Sequence, residues 1–159
     1  MGVSNQIIYT THSPYFVDLD RFDKIRMIKK STLPDSPVLQ SVVTRYSLEL
    51  ATRELARVTN SDQGRFTRNS FKVRASSVMN TIVNEGFFAD VVVVVEGTTD
   101  AYALWKLQDI MGKNWPKVGT AIVPAGGKNN IDRPVVIFKG LSIPTYFIFD
   151  ADAHLTREE

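Results

Sequence analysis

Five consecutive valines, Val91 to Val95, stand between Asp90 and Glu96 and form the strongest apolar signal in the chain. They predict a strand over Asp90–Glu96, buried on both faces as the strands of parallel sheets are. The pattern then alternates. It predicts a helix from Thr99 to Met111, a strand over Thr120–Val123, a glycine loop "PAGGKNNI", a helix over Pro134–Lys139 and a strand over Thr145–Phe149. Apolar strands separated by helical patterns indicate right-handed crossovers and a parallel sheet flanked by helices, an α/β fold.

Upstream the periods differ. Gln6–Tyr9 reads as a short buried strand that runs into a polar turn, where Pro14 keeps Ser13 out of helical geometry. "KIRMIKK" and "PVLQSVV" alternate with period two around the turn "STLPDSP", predicting two strands with one wet face each. From Ser47 to Phe88 the apolar residues recur at helical spacing: Leu48, Leu50, Leu55 and Val58, then Phe71, Val73, Val78, Met79, Ile82 and Val83 beyond Gly64. That is the signature of two helices and a connection.

Composition narrows the function classes. The chain has 159 residues and no cysteine, which excludes disulfides, thiolate-bound zinc and a catalytic thiol. No stretch reaches the roughly 18 apolar residues that a transmembrane helix needs, and the N-terminus lacks a secretory pattern, so a cytoplasmic protein with no membrane partner is expected. Residues 1–80 hold 12 Lys and Arg against 7 Asp and Glu, and residues 81–159 hold 7 against 10. Arg65, Arg68, Lys72 and Arg74 read as a solvated helix face rather than as evidence of DNA binding.

The chemistry sits at strand ends. In open α/β sheets ligands bind beyond the carboxyl ends of the strands. Glu96 ends one strand and Asp150 another; Asp152 points to the same side as Asp150, with Ala151 between them. If those strands are neighbours, three carboxylates converge, and a hard cation, Mg²⁺ or Mn²⁺, relieves their repulsion. Asp100 either joins that set or complements the dipole of the helix that Gly97 and Thr98 begin. Gly126 and Gly127 let backbone approach a phosphate, and Lys128 adds charge, although the loop is not a Walker A sequence. His12 and His154 share no spacing that would place them in one metal site.

A hydrophobic strand ending in Glu96-Gly97, Asp100 four residues after the glutamate, the Gly126-Gly127 loop and a strand ending in Asp150-x-Asp152 resemble the Toprim domain of topoisomerases, primases and related nucleases. "IIYTTHSPYFVDL" resembles the switch-histidine loop of ABC-type ATPases. "EGFFADVVVVVEGTTD" is similar to the junction at which the OLD (overcoming lysogenization defect) family joins such an ATPase to a Toprim nuclease. The resemblance implies three parts: residues 1–46 as the C-terminal part of an ABC-type ATPase domain, 47–89 as a helical linker, and 90–159 as the N-terminal part of a Toprim domain, within a longer protein.

It further implies a metal-dependent DNA endonuclease. Glu96, Asp150, Asp152 and Lys128 would be its catalytic residues, and Glu96, Asp100, Asp150 and Asp152 would hold one or two Mg²⁺ or Mn²⁺ ions. Gly97, Gly126 and Gly127 would shape the supporting loops, and His12 would sense the γ-phosphate of ATP bound by the ATPase domain. DNA and a second copy of the chain are the implied partners, and defence against phage the implied setting. Two other readings stay open from sequence: a non-catalytic Toprim and ATPase-tail module for dimerisation or regulation, and a primase-like Toprim protein.

Overall fold

The computed structural model describes residues 6–151 apart from 18, 34, 35, 63 and 79. After short 3-10 turns at Pro14–Phe16 and Leu19–Lys24 comes an antiparallel hairpin, β1 (Met27–Leu33) and β2 (Ser36–Thr44), in the register Met27↔Thr44 to Thr32↔Leu39. Helices α1 (Leu48–Val58), α2 (Arg68–Val78) and the short α3 (Thr81–Asn84) follow. The C-terminal half is β3 (Val91–Val95), α4 (Thr98–Ile110), β4 (Thr120–Pro124), α5 (Asp132–Gly140) and β5 (Thr145–Ile148).

The three C-terminal strands form the expected parallel sheet, in the order β4-β3-β5. The valine strand is central, pairing Val91↔Thr120 to Val95↔Pro124 on one side and Val92↔Thr145 to Val95↔Ile148 on the other. Alternation then gives its two faces different partners. Val92 and Val94 enter the larger core with Phe87, Ile137 and Phe138, while Val95 packs with Ala101 and Ile122 under α4. A strand covered on both faces has no polar face to keep, which is why the run is unbroken valine.

The larger core continues upstream through Phe71 of α2, Ala51 and Leu55 of α1, Tyr46 and Phe22. Phe87 meets Phe138 edge-on at 5.1 Å between centroids, and Phe22 lies 5.7 Å from Phe71. Ser47 caps α1 by accepting from the Leu50 N–H at 3.2 Å. The last residue of α5, Gly140, lies so close to the Tyr46 ring that a Cβ there would overlap it. The hairpin reaches the sheet through Lys29, whose Nζ lies 3.5 Å from the Ala89 carbonyl and 4.0 Å from Asp90.

One expectation fails. Gln6–Tyr9 is neither a strand nor buried: Ile7 and Ile8 are 82% and 86% exposed. A strand is held by its ladder, and among the described residues none pairs with this segment. The helical stretch also holds one element more than the two expected, because Asn80 starts α3 by accepting from the Ile82 and Val83 N–H groups at 2.9 and 3.1 Å.

Candidate active site

Three parallel strands ending side by side bring distant residues of the sequence to one edge. The register that pairs Val95 with Pro124 and Ile148 puts Glu96 one step beyond the end of β3, level with Ala125 and Phe149, and Asp150 one step further along β5. The strands are neighbours, as convergence of the carboxylates requires.

The glycine loop ties the two strand ends together. The Gly127 N–H donates to the Glu96 carbonyl at 2.7 Å, and the Lys128 Nζ donates to the Asp150 carbonyl at 2.8 Å while standing 5.2 Å from the centre of the Phe149 ring. Gly126 and Gly127 have φ of +76° and +132°, the region that side chains other than glycine's avoid. The sequence needs both glycines so that the chain can turn back across the sheet edge and deliver Lys128 to β5.

Glu96 itself carries the most informative polar atom of the edge. Its Oε2 is buried and, among the described residues, meets no hydrogen-bond partner. Buried polar atoms are nearly always satisfied, and leaving one bare costs about 1–3 kcal/mol. A carboxylate oxygen held dry at a strand's carboxyl end is set up to meet a ligand, and an oxygen donor of this kind suits a hard divalent cation.

Asp100 has an occupied oxygen. Its Oδ2 accepts from the Gly97 N–H at 2.8 Å at the start of α4, holding the backbone that follows Glu96. Asp152 and His154 lie outside the described residues. Among the described residues no three His, Asp or Glu side chains form a metal-binding group, so the described carboxylates of the edge are Glu96 and Asp150, with Asp100 beside them as a cap.

His12 is not joined to this edge by any of the described hydrogen bonds. It sits in an exposed loop that Asn84 holds: the Asn84 Nδ2 donates to the carbonyls of Pro14 at 3.1 Å and Val17 at 3.2 Å. Tyr9 closes the same loop by donating to the Phe16 carbonyl at 2.7 Å. Asn84 is buried on α3, directly before the turn Glu85–Phe88 that leads into β3. The histidine loop and the central strand are therefore fixed to one short stretch of chain.

Two polar residues take a part here that the sequence did not assign them: Arg74, read as one of a solvated helix face, and Asn130 of the glycine loop. Arg74 of α2 donates from Nη2 to the Asn130 Oδ1 at 3.2 Å, and the Asn130 Nδ2 donates to the Gly126 carbonyl at 3.0 Å. Neither carries a local signal, since a contact 56 residues apart leaves no period in the sequence. Beside the loop, a groove of about 900 Å³ runs from Lys128 between α1 and α5, past Arg53, Lys139, Phe147 and Phe149. Within it a hydrogen bond from Arg57 holds the Glu54 carboxyl below the usual range.

Residues 87–152 match the Toprim domain of overcoming lysogenization defect protein-like proteins. The chain is also 33% identical over 147 residues to the OLD nuclease of Thermus scotoductus, a match that covers 92% of this chain and 25% of that protein. It thus spans about a quarter of the relative's length. Together with the parallel β4-β3-β5 sheet and its acidic edge, these matches identify residues 87–152 as an OLD-like Toprim domain, within a chain related over most of its length to an OLD nuclease.

Proposed function

We propose that this chain supplies the metal-dependent nuclease centre of an OLD-type endonuclease, hydrolysing phosphodiester bonds of DNA at the carboxyl edge of its parallel sheet. The observation that carries the reading is the Oε2 of Glu96, buried and without a partner among the described residues, at the strand edge that also holds Asp150 and Lys128. The match to an OLD-like Toprim domain and the name of the Thermus relative support the same activity.

In this reading Glu96, Asp150 and Asp152 hold Mg²⁺ or Mn²⁺, one or two ions. The bound metal would supply an activated water and charge for the leaving oxygen. Asp100 acts from behind: by fixing the Gly97 N–H it keeps the backbone after Glu96 in place, so the glutamate is held rather than searching. Lys128, steadied on the Asp150 carbonyl and the Phe149 ring, sets a positive charge at the position of the scissile phosphate. The two glycines keep that approach free of side chains.

The whole protein would couple this centre to ATP. Its ABC-type ATPase domain would bind the nucleotide, with His12 sensing the γ-phosphate, and Asn84 ties the His12 loop to the chain entering β3. The intact protein acts as a homodimer or higher homo-oligomer on DNA in the cytoplasm, in defence against phage.

The test is calorimetric titration of Mn²⁺ and Mg²⁺ into the folded chain and into its Glu96→Ala and Asp150→Ala variants, followed by a plasmid-nicking assay with Mn²⁺. Saturable binding and nicking that both variants lose is the expected result. Metal binding that survives both substitutions, or a folded wild type that binds neither ion, would sink the proposal.

A further inference from the structure

We propose that Arg74 is a DNA-backbone contact, forming with Lys128 a two-cation seat on the glycine loop for the phosphates next to the acidic edge. The inference rests on the nuclease reading above and adds a residue, and a second element of the fold, to that site.

The first support is how Arg74 is held. Some arginines of this chain are paired with carboxylates, Arg57 with Glu54, Arg68 with Glu49 and the buried Arg133 with Asp132, while others are held by neutral oxygens, Arg26 by the Asp23 and Ile25 carbonyls and Arg65 by the Ser61 hydroxyl. Arg74 is fixed by a neutral amide oxygen, that of Asn130, and among the described residues no carboxylate pairs with it. A neutral acceptor orients the guanidinium without cancelling its charge. A guanidinium carries five N–H donors in a rigid fork, so one bond to Asn130 leaves the others for a phosphate, which it matches bidentately.

The second support is where it is held. Asn130 belongs to the single turn Lys128–Asn130, and its own Nδ2 is anchored on the Gly126 carbonyl at 3.0 Å. Arg74 is thus tied, through one side chain, to the loop that carries Lys128 to Asp150. The docking of α2 beneath is firm: Phe71 is fully buried, and the buried Arg133 of α5 lies 6.0 Å from its ring centre and 5.9 Å from that of Phe66. Two cations, Arg74 from α2 and Lys128 from the loop, are thus joined to the same glycine loop, and a polyanionic strand is the ligand that such a pair fits.

The experiment uses the 159-residue chain and a short fluorescein-labelled DNA duplex, read by fluorescence anisotropy across a KCl series, with Ca²⁺ replacing Mg²⁺ to keep the DNA uncut. Arg74→Gln keeps a polar side chain and removes the charge; Arg74→Lys keeps the charge. Arg74→Gln should weaken binding roughly 3- to 10-fold at ~0.1 M salt and make the slope of log affinity against log salt shallower by about one. Arg74→Lys should recover most of that slope, and melting temperatures should stay together. Arg74→Gln binding with wild-type affinity and slope overturns the role of Arg74 alone, as does Arg74→Lys falling as far as Arg74→Gln. A wild-type chain that binds no DNA overturns the nuclease reading, and this inference with it.

Discussion

Removing the carboxylate of Glu96 should make the metal-free chain more stable, not less. Among the described residues its Oε2 is buried without a partner, and an unsatisfied buried acceptor costs about 1–3 kcal/mol. Glu96→Ala relieves that cost and gives up the burial of one side-chain methylene, at most about 0.8 kcal/mol. The net gain is roughly 1 kcal/mol, or about 2–4 °C in melting temperature for a chain of this size. Metal reverses the order. A cation at tenfold its dissociation constant stabilises the folded wild type by about 1.4 kcal/mol, through preferential binding to the native state. The assay is a pair of thermal melts for each protein, with EDTA and with saturating Mn²⁺. The variant should melt higher in EDTA and ignore Mn²⁺, while the wild type rises. A variant that melts below wild type in EDTA would refute the claim that Glu96 is held at a cost, and one that responds fully to Mn²⁺ would refute its role as a ligand.

Three further outcomes follow from the same geometry. Asp100→Ala should cost about 1 kcal/mol in urea unfolding, because the Gly97 N–H loses its acceptor, whereas Asp100→Asn keeps an acceptor and should retain both stability and Mn²⁺ affinity; an affinity loss of about tenfold or more in Asp100→Asn would make Asp100 a ligand. Tyr46, whose hydroxyl is pushed up to about 12 by burial and then by Glu54, favours the folded state while protonated. Its contribution is complete below pH 10 and is lost as pH rises from 10 through 12, so the stability of Tyr46→Phe should fall less across that window than that of wild type. Phe138→Ala removes a fully buried ring that packs on Phe87 under the sheet and should cost about 3–5 kcal/mol, measured as a lower urea midpoint at unchanged slope.

Much of this fold was legible because its sheet is parallel and covered. Strands of that kind read as uninterrupted apolar runs, so Val91–Val95 and Thr120–Pro124 stand out without any structure; Thr145–Ile148 is equally apolar although Tyr146, Phe147 and Ile148 lie exposed, and the helices between the strands fall where the pattern becomes helical. The hairpin was legible for the opposite reason, the period-two alternation around its turn. Gln6–Tyr9 misled because apolarity alone says that a segment is capable of pairing, not that a partner exists; Ile7 and Ile8 lie exposed. The same distinction governs the site. Residues at strand ends, Glu96 and Asp150, were placed by topology alone, since the strand order fixes which ends are neighbours. Asp100 could be put at the first turn of α4, but whether its carboxylate faces the sheet edge or the Gly97 N–H is a matter of one rotamer, and no spacing records a rotamer. Arg74 was read as one of several solvated basic residues because composition treats them alike. What separates it is the amide of Asn130, and that contact exists only after Phe71 has docked α2 into the shared core. Local chemistry in the sequence therefore locates the carboxylates at the strand ends, while the tie between Arg74 of α2 and the glycine loop is set by tertiary packing.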